Sequence, residues 1–137
     1  MYLFAPVALT AITLSLSAQK LTASKVPDAV KMSFAKHYPD VDKVTWEKEG
    51  ARFEAGFKEN DQKMSALFSP DGTLTEWEVS IPVNSLPAPA LSYLKEHYRN
   101  VPIKEAAKIT KANGEISYEA EVKGKDLLFD ANGKSRP

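Results

Sequence analysis

The stretch "FAKHYPDV" at residues 34–41 returns as "LKEHYRNV" at residues 94–101, sixty positions later. The chain has two histidines, His37 and His97, and each stands directly before a tyrosine in the same local setting. Either the pair is a site, or one structural unit occurs twice. The flanking residues decide for duplication. At the same spacing Val26-Pro27 meets Leu86-Pro87, Phe34 meets Leu94 and Val41 meets Val101. Further on, "RFEAGFK" (52–58) meets "SYEAEVK" (117–123) at sixty-five, and "LFSPDG" (67–72) meets "LFDANG" (128–133) at sixty-one. The offset changes only in expected loops, as a duplication allows. The connector is "IPVNSLPAP" (81–89), marked by three prolines.

Each unit opens with a helix. Val26, Ala29, Val30, Ser33, Phe34, His37 and Tyr38 fall on one stripe at helical spacing, and Ala90, Leu94, His97 and Tyr98 repeat it. Pro27 and Pro87 suit a first turn, where the missing N–H costs nothing. Pro39 stops the first helix, and Asn100 with Pro102 stops the second. Strands follow. "VTWEK" (44–48) alternates, and "RFEAGFK" turns Phe53, Ala55 and Phe57 inward and Arg52, Glu54 and Lys58 outward. Ile116, Tyr118, Ala120 and Val122 do the same in the second unit. "MSALF" and "DLLF" are short central strands, and "SPDGT" and "DANGK" are hairpin turns. "TLTEWEVSI" (73–81) is a fourth strand of the first unit, and "KSRP" leaves the second with a stub or nothing.

One helix over one small meander buries too little to be stable alone, so the copies share a core. The expected fold is α+β: a tandem repeat of helix plus antiparallel meander, building one sheet of seven or eight strands with both helices on one face. The repeats run over about 26–81 and 86–137. The other face is open, and function belongs there.

Composition narrows the chemistry. Lysine plus arginine is 18 and aspartate plus glutamate is 18, so the chain has no global field to gather phosphate backbones. Nucleic acid is not the expected partner. Cysteine is absent, which excludes disulfides, thiolate metal sites and a cysteine nucleophile. The first eighteen residues carry no charge, and the run ends in Ser15, Ser17 and Ala18. Residues 1–18 read as a signal peptide, 19–137 as one exported domain, and no membrane span is expected after cleavage.

Candidate motifs meet plainer explanations. Tyr38 and Tyr98 extend the buried helix stripe, and the histidines sit at the C-terminal end of the helix dipole. Neither histidine has further ligands at metal-binding spacing. No serine lies in a nucleophile elbow. Glu54 and Glu119 occupy equivalent outward positions, joined by Glu121, but a glycosidase pair needs a cleft as well. "DANG" lacks the flanking acids of a calcium loop. No catalytic residue, metal or cofactor is expected. Trp77 shares a face with Thr73, Thr75 and Val79, and Leu74 lies opposite. If that face is the open one, Trp77 is a binding anchor.

Taken together, "VPDAVKMSFAKHYPDVDKVTWEKEGARFEAGF", "LFSPDGTLTEWEVSIPVNSLPAPALSYLKEHY", "ISYEAEV" and "LLFDANGK" resemble the PepSY-like family of exported bacterial domains, described as beta-lactamase-inhibitor-like. The chain departs from the pattern at Arg99-Asn100, in lacking a tryptophan in the second unit's first strand, and in its ending. The resemblance implies a periplasmic or secreted protein with a concave sheet face of the kind used by protein inhibitors, in a family with no assigned enzymatic activity; the protein is not expected to be an enzyme. The expected function is protein binding, as inhibitor or regulator of an envelope peptidase or lactamase. The alternative is a module binding a small ligand, metal ion or envelope polymer. The candidate contact face is Arg52, Glu54, Lys58, Trp77, Glu119 and Glu121.

Overall fold

The computed structural model describes residues 19–137. The expected signal peptide, residues 1–18, lies outside them. The elements run β1 (Gln19–Leu21), α1 (Asp28–His37), β2 (Thr45–Glu49), β3 (Arg52–Glu59), β4 (Gln62–Phe68), β5 (Leu74–Ile81), α2 (Ala88–His97), β6 (Ile103–Lys111), β7 (Ile116–Val122), β8 (Lys125–Asp130) and β9 (Ser135–Arg136). All strands join one antiparallel sheet in chain order.

The α+β architecture is as expected, with nine strands rather than seven or eight. The repeat explains both ends. Leu21 of β1 pairs with Trp46 as Ile81 of β5 pairs with Ala106, sixty residues on. Ser135 of β9 pairs with Phe129 as Leu74 of β5 pairs with Phe68, sixty-one residues earlier. β5 is therefore the last strand of one unit and the first of the next.

Local hydrogen bonds repeat with the sequence. The Val26 N–H donates to Ala23 O and the Leu86 N–H to Val83 O, in the turns that lead into the helices. The Val41 N–H donates to Tyr38 O, and the Val101 N–H to Tyr98 O. Pro27 and Pro87 sit one position before the helices, where their carbonyls accept the first helical N–H groups. Both helices end at a histidine, and in both the next tyrosine N–H closes the last turn.

One face of the sheet carries both helices. Val30 and Phe34 of α1 pack on Trp46, Phe53, Ala55, Phe57, Ala66 and Phe68. Ala90 and Leu94 of α2 pack on Ala106, Ala120, Val122 and Phe129. Register carries this face across the sheet without a break, through Ala55↔Ala66↔Trp77 and Ile81↔Ala106↔Ala120. Aromatic rings fill the first half: Phe34 meets Tyr38, Trp46 and Phe57 at 5.1–5.5 Å between centroids. The second half uses alanine and leucine instead.

The hairpin glycines tie turns to helices. A Cβ on Gly72 (φ +91°) would lie 2.5 Å from the carbonyl oxygen of Ala29, and one on Gly133 (φ +85°) 2.8 Å from Cβ of Pro87. Each β-turn thus presses on the start of a helix. That contact, beyond the positive φ, demands glycine at these two turns.

Candidate functional site

The second face of the sheet is bare: among the described residues no helix packs on it. It carries Glu47 on β2; Arg52, Glu54, Gly56 and Lys58 on β3; Lys63, Ser65 and Leu67 on β4; and Glu76, Glu78 and Ser80 on β5. Ala107, Ile109 and Lys111 on β6, Ser117, Glu119 and Glu121 on β7, and Asp126 and Leu128 on β8 continue it.

Leu67, Ala107 and Ile109 are only 5, 6 and 7% exposed although no helix covers them. The sheet itself shelters them, because it twists and curls. Bulges in the β4–β5 pairing at Leu67/Phe68 and in the β6–β7 pairing at Ile103/Glu105 sharpen that curl. The result is a trough with a cleft of about 1040 Å3 at one end. Gly56, Ser65, Ser80 and Ala107 form its floor, and Glu47, Glu54, Glu78, Glu105 and Glu119 stand around it with Lys58 and Lys63. At Gly56 the floor is filled by a neighbour: the Thr45 hydroxyl lies 2.9 Å from where a Cβ would project and donates to the Gly56 carbonyl at 3.3 Å.

Carboxylates dominate the electrostatics. Burial, a hydrogen bond with Glu49 and repulsion from Glu49, Glu47 and Glu78 push Glu54 up to about 8. Burial in the trough pushes Glu78 up to about 7, with repulsion from Glu76 and Asp126 adding to it. Burial and the nearby Glu78, Asp126 and Glu121 push Glu119 up to about 8. Glu76 is raised by burial against the opposing pull of Arg52. Lys63 reaches across to Glu105 at 3.6 Å, and Lys104 holds Glu121 at 3.8 Å. The more deeply seated Glu54, Glu78 and Glu119 form no ion pair among the described residues.

Five of the six expected contact residues, Arg52, Glu54, Lys58, Glu119 and Glu121, share this face. Trp77 does not. It pairs with Ala66 on the helix-bearing side and is half-buried there. Strict alternation sets Trp77 and Leu74 on opposite faces, but the bulge puts an extra residue, Thr75, between them, so both face the helices. The unforeseen members of the trough are Glu76, Glu78, Glu105, Asp126 and the small floor residues. Alternation from Trp77 would have delivered Glu76 and Glu78 once its side was known.

Chemically the arrangement does not assemble an acid–base pair from Glu54 and Glu119. They lie on β3 and β7, four strand spacings across and four residues along, about 23 Å apart on an uncurled sheet, against about 5–9.5 Å for paired glycosidase carboxylates. Among the described residues no group of three or more His, Cys, Asp or Glu side chains is placed to hold a metal ion. The histidines do the same thing in both units: Nδ1–H donates to the carbonyl four residues back, Ser33 O at 2.8 Å and Tyr93 O at 3.0 Å. No helix of the described residues is long and apolar enough to cross a membrane.

Residues 14–76 and 51–136 match the family profile described as "Putative beta-lactamase-inhibitor-like, PepSY-like". No curated protein matches the chain. Among solved structures, a "putative periplasmic" protein of Bacteroides eggerthii superimposes with a TM-score of 0.73 at 18% identity, covering 82% of this chain and 86% of that one. A DUF2874 family protein of Bacteroides uniformis gives 0.71 at 17% identity, covering 81% and 86%. A BLIP-like protein of Bacteroides fragilis gives 0.62 at 20% identity, covering 81% and 84%. At these identities the likeness is one of fold.

Proposed function

Because the chain belongs to the PepSY-like, beta-lactamase-inhibitor-like family, we propose that it is an exported, non-enzymatic protein whose bare sheet face docks onto another protein of the envelope. Its role there is to inhibit or regulate an enzyme of the peptidase or lactamase class. The observation that carries this reading is the curled, helix-free face, with apolar side chains sheltered in its floor and charged ones around them. A broad open surface of this kind suits a protein partner, whereas a small ligand calls for an enclosed pocket with a few converging polar groups. Export is supported by the uncharged apolar run over residues 1–18 and by the structural neighbour described as periplasmic. Arg52, Glu54, Lys58, Glu119 and Glu121 are the contact residues in this reading, joined by Glu78.

The test is capture from a periplasmic extract by the immobilised mature chain. Ser65→Arg, which raises the trough floor, and Glu121→Arg, which reverses a wall charge, should each abolish retention of the partner while leaving the circular dichroism spectrum unchanged. Trp77→Ala should leave retention intact. If Trp77→Ala removes the partner and the two face variants keep it, docking is on the helix side and the proposal is wrong.

A further inference from the structure

Glu54, Glu78 and Glu119 lie on alternate strands, β3, β5 and β7, and step diagonally across the trough. Glu54 is level with Leu67 and Glu76, Glu78 is level with Ser65 and Ile109, and Glu119 is level with Ala107 and Ser80. Each step therefore crosses two strand spacings, about 9.6 Å, and moves two residues along the strand, about 6.8 Å. Successive carboxylates are about 11–12 Å apart on an uncurled sheet. Between them the floor pairs a small residue with a sheltered apolar one, Ser65 with Leu67 on β4 and Ala107 with Ile109 on β6, and the burial of both apolar side chains lets a polypeptide backbone lie close to the sheet. The ion pairs of the described residues occupy Asp28, Glu105, Glu115 and Glu121 and include none of the three diagonal carboxyls, of which Glu54 shares a hydrogen bond with Glu49.

We propose that the trough receives an extended segment of a partner protein carrying lysine or arginine at every third or fourth position. The proposal rests on the docking reading above and names what docks. Side chains on one side of an extended strand recur every second residue, so a cation at every fourth position stays on that side at a spacing of about 13 Å. Those of a polyproline-type segment recur every third at about 9 Å. The two spacings bracket the diagonal, and long cationic side chains span the difference. Charge complementarity supplies the selection: burial and acidic neighbours hold these carboxyls toward the protonated form, and a cation seated beside each one favours its ionised form and relieves that repulsion. Glu54 and Glu119 feel only acidic neighbours, whereas Glu78 also feels Lys63, so the two ends of the diagonal are its stronger cation positions.

The probe is a fluorescein-labelled nine-residue glycine–serine peptide with lysine at its first, fifth and ninth positions. It is compared with an isomer carrying the three lysines consecutively and with a glutamate counterpart. Anisotropy with the full mature chain should show the spaced peptide binding about tenfold tighter than the clustered one, the ratio that three weak ion pairs supply. Raising the salt should weaken it, and the glutamate peptide should not bind. The Glu54→Gln, Glu78→Gln, Glu119→Gln triple variant should lose about tenfold while staying folded by circular dichroism. Equal affinity for spaced and clustered peptides, or an unaffected triple variant, overturns the proposal. If Ser65→Arg abolishes partner capture but the triple variant does not, docking at this face stands and the cationic segment is refuted. If the spaced peptide binds as expected and no protein is captured through the face, the docking reading falls instead.

Discussion

Replacing Glu119 with glutamine should stabilise the protein at neutral pH and do nothing in acid. The carboxyl is pushed up from the ordinary 4.5 to about 8 by burial in the trough and by the carboxylates of Glu78, Asp126 and Glu121. Below about pH 4.5 it is protonated in both folded and unfolded chains and contributes nothing. As the pH rises through 4.5 the unfolded chain releases its proton while the folded chain keeps it, so stability falls until the pH reaches the folded value near 8. At about pH 7.5 the three units above the unfolded value correspond to an upper limit of about 4 kcal/mol. Because the side chain is only partly buried, solvent screening reduces this to about 1–2 kcal/mol. Glutamine keeps the shape and the hydrogen-bonding capacity and has nothing to ionise. Urea unfolding at matched ionic strength should show Glu119→Gln about 1–2 kcal/mol more stable than wild type at about pH 7.5, with a melting temperature about 3–8 °C higher, and equal to it at about pH 4. Wild type should itself lose stability between about pH 5 and pH 8. An equal difference at both pH values, or a wild type that gains stability across that window, would refute the electrostatic account of the trough.

Two further expectations concern the helix-bearing side. Gly72→Ala and Gly114→Ala start from nearly the same backbone, φ +91° and +89°, but only the first meets an obstacle, Ala29. Urea midpoints should show a loss of about 1–2 kcal/mol at Gly114, from backbone strain alone, and about 2–4 kcal/mol at Gly72; equal losses would show that the turn does not press on α1. Phe34→Ala removes the ring around which Tyr38, Trp46 and Phe57 are arranged, and it should destabilise by about 3–5 kcal/mol, while Leu94→Ala costs about 2–5 kcal/mol. Because the two halves share β5, calorimetry of each variant should show one transition shifted to lower temperature, not two separated ones.

The sequence discloses the frame of this molecule because duplication prints it twice. Phe34 and Leu94, the glycine turns and the alternating strands at 52–58 and 117–123 each have a counterpart to check them against, and all fall where alternation and spacing put them. β1 escapes such reading because three residues, Gln19–Leu21, show no alternation; only the partnership of Leu21 with Trp46, mirrored by Ile81 with Ala106, reveals it. The first half of β6, "IKEAAK", likewise has no alternating pattern to announce a strand. Trp77 is misplaced by a single bulge residue, because one extra position reverses every side chain beyond it. The trough is invisible for a different reason. Its sheltering of Leu67 and Ile109, and hence the burial of Glu78 and Glu119, comes from curl accumulated over many strands, and no local pattern of residues encodes a curl.

The double membership of β5 also sets how such a scaffold can grow. With the boundary strand counted once, a further copy would need only one helix and four strands, about sixty residues, to dock in the pairing already used at the internal junction. Every added copy would lengthen the same channel and carry its bend onward. Reach and curvature in this architecture are therefore coupled, and a longer relative would present a deeper arc, not a wider plane.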